Sequence, residues 1–146
     1  MRAKAYYDRE EELGTSATSK ALAQYRIDWM IVQARTGMEE KTISAVKELI
    51  SLASTTTEAD GEIAPTSIYK HAAASMGMLS STLTQSNPSA AAKYQDNAMR
   101  LLEKAILAGY RDIAYLKTDP DFDWLQNDRL MAQVEAMIQK AEREKQ

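Results

Sequence analysis

The stretch NAMRLLEKAILAGY, residues 97–110, decides the fold of this chain. From Tyr94, just before this stretch, to Ile106 within it, apolar side chains recur every three or four residues. This spacing places them on one stripe of an α-helix. Gly109 follows the stripe, and glycine at that point is a natural left-handed helix stop. The stretch therefore predicts an amphipathic helix that buries one side and ends at Gly109.

The rest of the chain has the composition of an all-helical protein. Its 146 residues contain five glycines and three prolines, which supply too few turns for a many-stranded β protein. Hydrophobic residues make up 45% of the sequence and charged residues 27%, as in an ordinary folded domain of this size. We therefore predict one all-α domain over residues 1–146.

Breakers and caps divide the chain into helix pairs. In order, the predicted segments are a partial helix or preceding repeat (1–17), a first helix pair (18–54), a polar linker (55–65), a second helix pair (66–109), and a short helix with a DPDFDW loop and a capping helix (110–146). Two antiparallel pairs of similar plan favour a helical solenoid over a globin-like bundle.

Particular residues mark the helix ends. Ser19 can cap the first helix, Gly37 is expected to end it, and the second helix is expected from about Glu39 to Ala53. Pro88 opens the second helix of the second pair. The helix before it carries small side chains on successive turns, so a neighbouring helix can approach closely, and we expect that helix to be central.

Charge and composition exclude several classes of function. The formal charge is −3, and the 18 basic and 21 acidic residues are scattered, so nucleic acid is not expected as a partner. The absence of cysteine excludes disulfides, zinc fingers, thiol nucleophiles and iron–sulfur clusters. No apolar run is long enough for a secretory signal or a membrane span, so we expect a cytoplasmic chain without a membrane partner.

The stretch TDPDFDWLQNDRL raises the question of a cation site. Asp119, Asp121 and Asp123 alternate as they do at the start of an EF-hand loop. A calcium cage also needs glycine at the sixth position and a bidentate glutamate at the twelfth, where this chain has Trp124 and Leu130. We therefore interpret the stretch as structural and predict no metal.

In the structural interpretation, this stretch closes the array of helices. Asp119 precedes Pro120 as an Asx-turn former, and Asn127 or Asp128 can cap the last helix. The apolar residues that would seal the end of the array are Phe122, Trp124 and Leu125. A solenoid needs such a terminal unit because its last helix pair has no neighbour.

No catalytic constellation is visible in the sequence. His71 is the single histidine, and no nucleophile elbow surrounds the nearby serines. The sequence has no glycine-rich phosphate loop, no HRD and no DFG motif, so a kinase domain is absent from it. We therefore expect neither an enzyme nor a bound cofactor.

Two flanking stretches make the pattern around residues 97–110 specific: IYKHAAASM before it, and RDIAYLKTDPDFDWLQND after it. Over about residues 68–137 the chain resembles the C-terminal tetratricopeptide-like region of bacterial Hanks-type serine/threonine kinases, notably those of planctomycetes. The residues that fit are Tyr69, Ala72, Ala73, Ala98, Leu101, Leu102, Ala105, Gly109, Tyr110, Asp112, Leu116, Asp119, Pro120, Asp121, Asp123 and Leu125. The sequence departs from that pattern at His71, Trp124 and Gln126, where the family has alanine, proline and arginine.

The resemblance implies a tetratricopeptide-like α-α superhelix that acts as a non-catalytic scaffold for a protein or peptide partner. In such arrays the first helix of each pair lines a concave groove. The groove residues implied here are Gln24, Ile27, Ile31, Ser67, Lys70 and Ala74. Two alternatives stay open: a ligand- or cation-sensing module that uses the aspartate loop or a pocket near His71, and a self-association element that forms a homodimer.

Overall fold

The structure is a computed structural model that describes residues 19–53 and 64–144. Six α-helices and one 3-10 helix make up these residues, in the order α1 (Ser19–Arg35), α2 (Glu39–Ala53), α3 (Pro65–Leu83), α4 (Pro88–Leu107), α5 (Ile113–Thr118), the 3-10 helix (Pro120–Leu125) and α6 (Asp128–Glu144). No strand occurs among them, and the predicted all-α class is confirmed. The segment predicted over 1–17 and most of the linker predicted over 55–65 lie outside the described residues.

The helix ends follow the sequence signals. Gly37 and Gly109 have φ values of 72° and 118°, as predicted for left-handed helix stops. After α4, the Tyr110 N–H donates to the Ala105 carbonyl at 3.0 Å and satisfies a carbonyl that the helix end would otherwise leave open. The turn after α1 contains the same kind of hydrogen bond, so both stops are built in the same way.

The helix starts combine prolines with polar caps. Pro65 and Pro88 stand at the first positions of α3 and α4, where a missing N–H costs nothing. Three side chains accept a backbone N–H at the next helix starts: Asn87 at α4 (3.3 Å), Asp112 at α5 (3.0 Å) and Asn127 at α6 (2.8 Å). Asn127 is one of the two caps predicted for the last helix.

Helix α3 lies at the centre of the described residues, as its small side chains predict. It packs against α1, α2, α4 and the 3-10 helix, and every residue from Ala72 to Ser80 is buried. The Ser80 hydroxyl donates to the Ala91 carbonyl of α4 at 2.6 Å, which ties the two helices together. The small and large residues of α4 at the predicted spacing have no exposed surface; they are Ala98, Leu102 and Ala105.

The elements are arranged in two rows. Helix α1, helix α3 and the 3-10 helix are neighbours in the first row, since α3 packs against the other two. The second row consists of α2, α4 and α6. The Tyr94 hydroxyl of α4 donates to the Glu39 carboxylate of α2, and α4 also packs against α6. None of the described helices is long and apolar enough to cross a bilayer.

The DPDFDW segment differs from the predicted loop because it folds as a 3-10 helix. The Asp119 side chain accepts the Asp121 N–H at 2.9 Å and so forms the predicted Asx turn just before Pro120. Phe122 and Leu125 are 1% and 0% exposed and belong to the hydrophobic core. The short helix buries these two side chains on one side, while Asp121 is partly buried and Asp123 is exposed.

Close packing joins the 3-10 helix to α3. The Trp124 indole lies against Gly77, so close that a Cβ at Gly77 would stand 1.9 Å from a carbon of the indole ring. The indole N–H donates to the Asp121 carbonyl at 3.1 Å, which fixes the ring. Glycine at position 77 is therefore what allows tryptophan at position 124.

Candidate functional site

Helix α1, helix α3 and the 3-10 helix share one face of the molecule. Arg35 at the end of α1 forms an ion pair with Asp121 of the 3-10 helix. Asp28 of α1 interacts electrostatically with His71 of α3. We call this surface the inner face; the side chains that define it are Ile31, Arg35, Ser67, Lys70, His71 and Asp121.

The six residues predicted to line a groove divide into two groups. Four keep solvent-exposed surface: Gln24, Ile31, Ser67 and Lys70. Ile27 and Ala74 are 1% and 0% exposed and belong to the hydrophobic core. Their assignment to the groove is wrong, because a side chain without exposed surface cannot contact a partner.

The ion pair between Arg35 and Asp121 connects the two elements that flank α3. The Arg35 side chain is 55% exposed and the Asp121 side chain 22% exposed. Burial and the neighbouring Asp119 raise the pKa of Asp121, while Arg35 opposes that shift. Ion pairs at the surface add little stability. The main consequence of this pair is that Arg35 and Asp121 lie next to each other on the inner face.

Lys70 projects from α3 toward two tyrosine rings. Its Nζ atom lies 4.4 Å from the centre of the Tyr115 ring and 5.7 Å from that of Tyr110. The ammonium forms no ion pair with any residue that the structure describes. Burial lowers the pKa of Lys70, and nearby carboxylates, Asp119 and Asp112 first among them, oppose that effect.

Both tyrosine hydroxyls have raised pKa values, and that of Tyr110 is held by a hydrogen bond. The Tyr110 hydroxyl donates to the Asp112 carbonyl at 3.1 Å, and burial raises the pKa of Tyr110. A hydrogen bond to the Asp119 side chain, followed by burial, raises the pKa of Tyr115 to about 12. Both phenols are therefore neutral at physiological pH, and their rings present electron-rich surfaces.

His71 is a partly buried residue of the inner face. Burial and the charge of Lys70 lower the pKa of His71 to about 4, against the opposing effects of Asp28 and Asp119. The imidazole is therefore neutral at pH 7. A neutral histidine beside charged neighbours can donate or accept a hydrogen bond at this surface.

Two of the three aspartate side chains of the DPDFDW segment already have partners within the protein. Asp119 accepts the Asp121 N–H, and Asp121 pairs with Arg35. Asp123 is exposed and holds the end of the 3-10 helix, since its carbonyl accepts the Gln126 N–H at 3.1 Å. Within the described ranges no group of three or more metal-ligating side chains is present.

A shallow surface depression of about 440 Å³ lies near the start of α6. Its lining consists of surface side chains from α5, the 3-10 helix end and α6: Lys117, Gln126, Asn127, Asp128, Met131, Ala132 and Glu135. Lys117 and Glu135 face each other there at 3.8 Å as an exposed ion pair. The lining contains neither histidine nor an activated nucleophile, so we take the inner face as the candidate site.

The sequence does not single out Arg35 or Tyr115 as site residues. Arg35 follows Ile31 by four residues and so lies on the same side of α1. This spacing is the sequence signal that could identify Arg35 as a neighbour of the predicted groove residues. The contact between Tyr115 and Lys70 depends on how α5 packs against α3. No local sequence pattern indicates that packing.

Comparison with protein-family models, with curated proteins and with solved structures gives no match. The function is therefore inferred from the geometry of the inner face and from the sequence patterns.

Proposed function

We propose that this chain is a non-catalytic, tetratricopeptide-like scaffold that binds a segment of a protein partner along its inner face. The observation that carries the proposal is the row formed by α1, α3 and the 3-10 helix. Their shared surface presents partly buried apolar, polar and charged side chains side by side, among them Ile31, Ser67 and Lys70. A non-obligate interface has about the same apolar fraction as the rest of a protein surface, and this composition fits that range.

The order of neighbours supports a tetratricopeptide-like arrangement. In repeat arrays each unit contacts the next, with first helices beside first helices and second helices beside second helices. Here α1 and α3 are neighbours, as are α4 and α6, and Tyr94 links α4 to α2. The sequence resemblance over about residues 68–137 points to the same arrangement.

A selection of peptides displayed on phage, with the purified chain as bait, tests the proposal. We expect selected peptides to bind with micromolar affinity, and Ser67→Arg to weaken binding about tenfold or more by placing a long charged side chain on the inner face. The matched control is Ser89→Arg, which adds the same side chain at an exposed position near the start of α4. Binding that is equally sensitive to both changes would contradict the inner face as the site.

A second pair of variants tests the apolar part of the surface. Ile31→Glu places a carboxylate on the inner face, and Leu107→Glu makes the same change at a side chain of α4 that is 63% exposed. We expect Ile31→Glu to weaken the selected peptides and Leu107→Glu to leave them unchanged. Because Ile31 packs partly against the core, thermal melts of both variants must first show folded protein.

The proposed context is regulation beside a bacterial serine/threonine kinase in the cytoplasm, and it rests on the sequence resemblance alone. The coding sequence upstream of this chain tests it. A kinase domain in the same reading frame would support a fused regulatory region. A reading frame without a kinase domain would contradict the hypothesis that this chain is fused to a kinase.

A further inference from the structure

Lys70 occupies a cage within its own protein. Its ammonium lies 5.7 Å from the centre of the Tyr110 ring and 4.4 Å from that of Tyr115, and the charges of Asp119 and Asp112 favour its protonated form. Aromatic faces beside carboxylates are the surroundings that proteins use to bind ammonium and quaternary ammonium groups. Because the Lys70 ammonium occupies this cage, the cage accepts an ammonium group.

The cage is fixed before any ligand arrives. Tyr110 is held by its hydrogen bond to the Asp112 carbonyl, and the Asp112 side chain caps α5. The Tyr115 backbone N–H donates to the Asp112 side chain at 3.0 Å, and the Asp119 side chain forms the Asx turn before the 3-10 helix. Preorganised rings lose little conformational entropy on binding, which favours recognition of a small cation.

Lys70 is suited to leave the cage. Its ammonium is tethered by a flexible four-carbon stem and makes no ion pair with the described residues. Tyr115 remains 38% exposed, so the cage is open to solvent on one side. An incoming cation can therefore replace the ammonium while Lys70 moves into water.

We propose that Tyr110, Tyr115, Asp112 and Asp119 form a binding cage for a cationic side chain of the partner, which Lys70 fills in the free protein. This inference rests on the proposed function, since it names the chemistry of the segment that binds at the inner face: a lysine, a methylated lysine or an arginine enters the cage. Lys70 then competes with the partner rather than contacting it, so removal of Lys70 strengthens binding.

Tetramethylammonium chloride is the probe that tests the cage directly. NMR titration of Lys70→Ala is expected to show saturable shifts of the Tyr110 and Tyr115 ring signals, at concentrations about tenfold lower than in the wild-type chain. The neutral control is 3,3-dimethylbutan-1-ol, which has a similar shape without charge and should not saturate. Adding Tyr115→Leu to Lys70→Ala should abolish the response to tetramethylammonium.

Two results would overturn the cage. One is the absence of saturable shifts in folded Lys70→Ala; the other is an equal response to the neutral alcohol. If Lys70→Ala does not fold, Lys70→Ser serves the same purpose, since it also empties the cage. If Lys70 only holds α5 against α3, both variants lose stability and gain no binding.

The same variants separate failure of the cage from failure of the groove. Peptides that bind at the inner face with equal affinity in wild type, Lys70→Ala and Tyr115→Leu would contradict the cage but support the inner face as a binding site. If tetramethylammonium binds Lys70→Ala but no peptide is selected, the cage is supported and peptide binding at the inner face is contradicted. If both proposals hold, selected peptides contain a basic residue and bind Lys70→Ala more tightly.

Discussion

At the scale of single residues, His71 makes the stability of the protein depend on pH. Its pKa in the folded protein is about 4, since burial and Lys70 disfavour the charged form, whereas Asp28 and Asp119 act in the opposite direction. An unfolded histidine has a pKa near 6.5. The unfolded chain therefore binds the proton first as the pH falls, and the contribution of His71 to stability is present above about pH 6.5 and is lost between about 6.5 and 4.

The expected size of this effect is roughly 2 to 3 kcal/mol between pH 7.5 and pH 4.5. Urea melts of the wild type and of His71→Ala at both pH values measure it. Carboxylates titrate in both proteins, so the difference between the two isolates His71. An equal loss of stability in both proteins would mean that His71 is not held neutral by its surroundings.

The burial of some single residues was predictable from the sequence, and that of others was not. Ala98, Leu102 and Ala105 lie on a helical stripe and are fully buried, because the 3.6-residue period of one helix suffices to place them. The sequence resemblance places Ile27 and Ala74 in a groove, whereas both are buried. Which side of α1 or α3 faces a neighbour is set by long-range packing, and a single helix contains no signal for it.

At the scale of elements, Gly77 and Trp124 determine how the 3-10 helix packs on α3. Gly77→Ala places a Cβ where the indole lies, and overpacking of this kind costs about 1 to 3 kcal/mol. We expect Trp124→Ala to remove most of that cost. In urea melts the double variant should therefore lose less stability than the sum of the two single variants.

Gly109→Ala is the matched control for this cycle. No atom lies within 4 Å of a Cβ added at Gly109, so its cost comes from the positive φ alone and should be about 1 to 2 kcal/mol. That cost should not change when Trp124 is replaced by alanine. Additive effects of Gly77→Ala and Trp124→Ala would contradict direct contact between the two positions.

The DPDFDW segment should not bind calcium. Asp119 and Asp121 already accept hydrogen bonds within the protein, and Trp124 and Leu130 stand where an EF-hand needs glycine and glutamate. Calorimetric titration with calcium chloride to millimolar concentration should show no heat beyond dilution. A saturable heat that Asp121→Asn abolishes would restore the cation-sensing alternative.

The elements themselves were largely predictable because their signals are local. Gly37 and Gly109 end helices, Pro65 and Pro88 begin them, and each signal acts within one turn. The sequence indicates a loop for the DPDFDW segment and not its 3-10 form. That form depends on the burial of Phe122 and of its neighbours against α3, which is a long-range contact.

At the scale of the whole molecule, the scaffold proposal requires an inner face that is free to receive a partner. Light scattering over a hundredfold range of protein concentration tests this against self-association. We expect a constant mass near 16.3 kDa, the mass of one chain. A mass that rises toward twice this value, and that Ser67→Arg but not Ser89→Arg reduces, would place a second copy on the inner face.

Mapping the binding site of a selected peptide by amide chemical shifts tests the central claim most directly. Titration of the peptide into ¹⁵N-labelled protein should shift amides of α1, α3 and the 3-10 helix, with the largest changes around Ile31, Ser67 and Lys70. The amides of the second row, α2, α4 and α6, should change little. Shifts concentrated on that second row, or no peptide that binds at all, would contradict the inner face as a protein-binding surface.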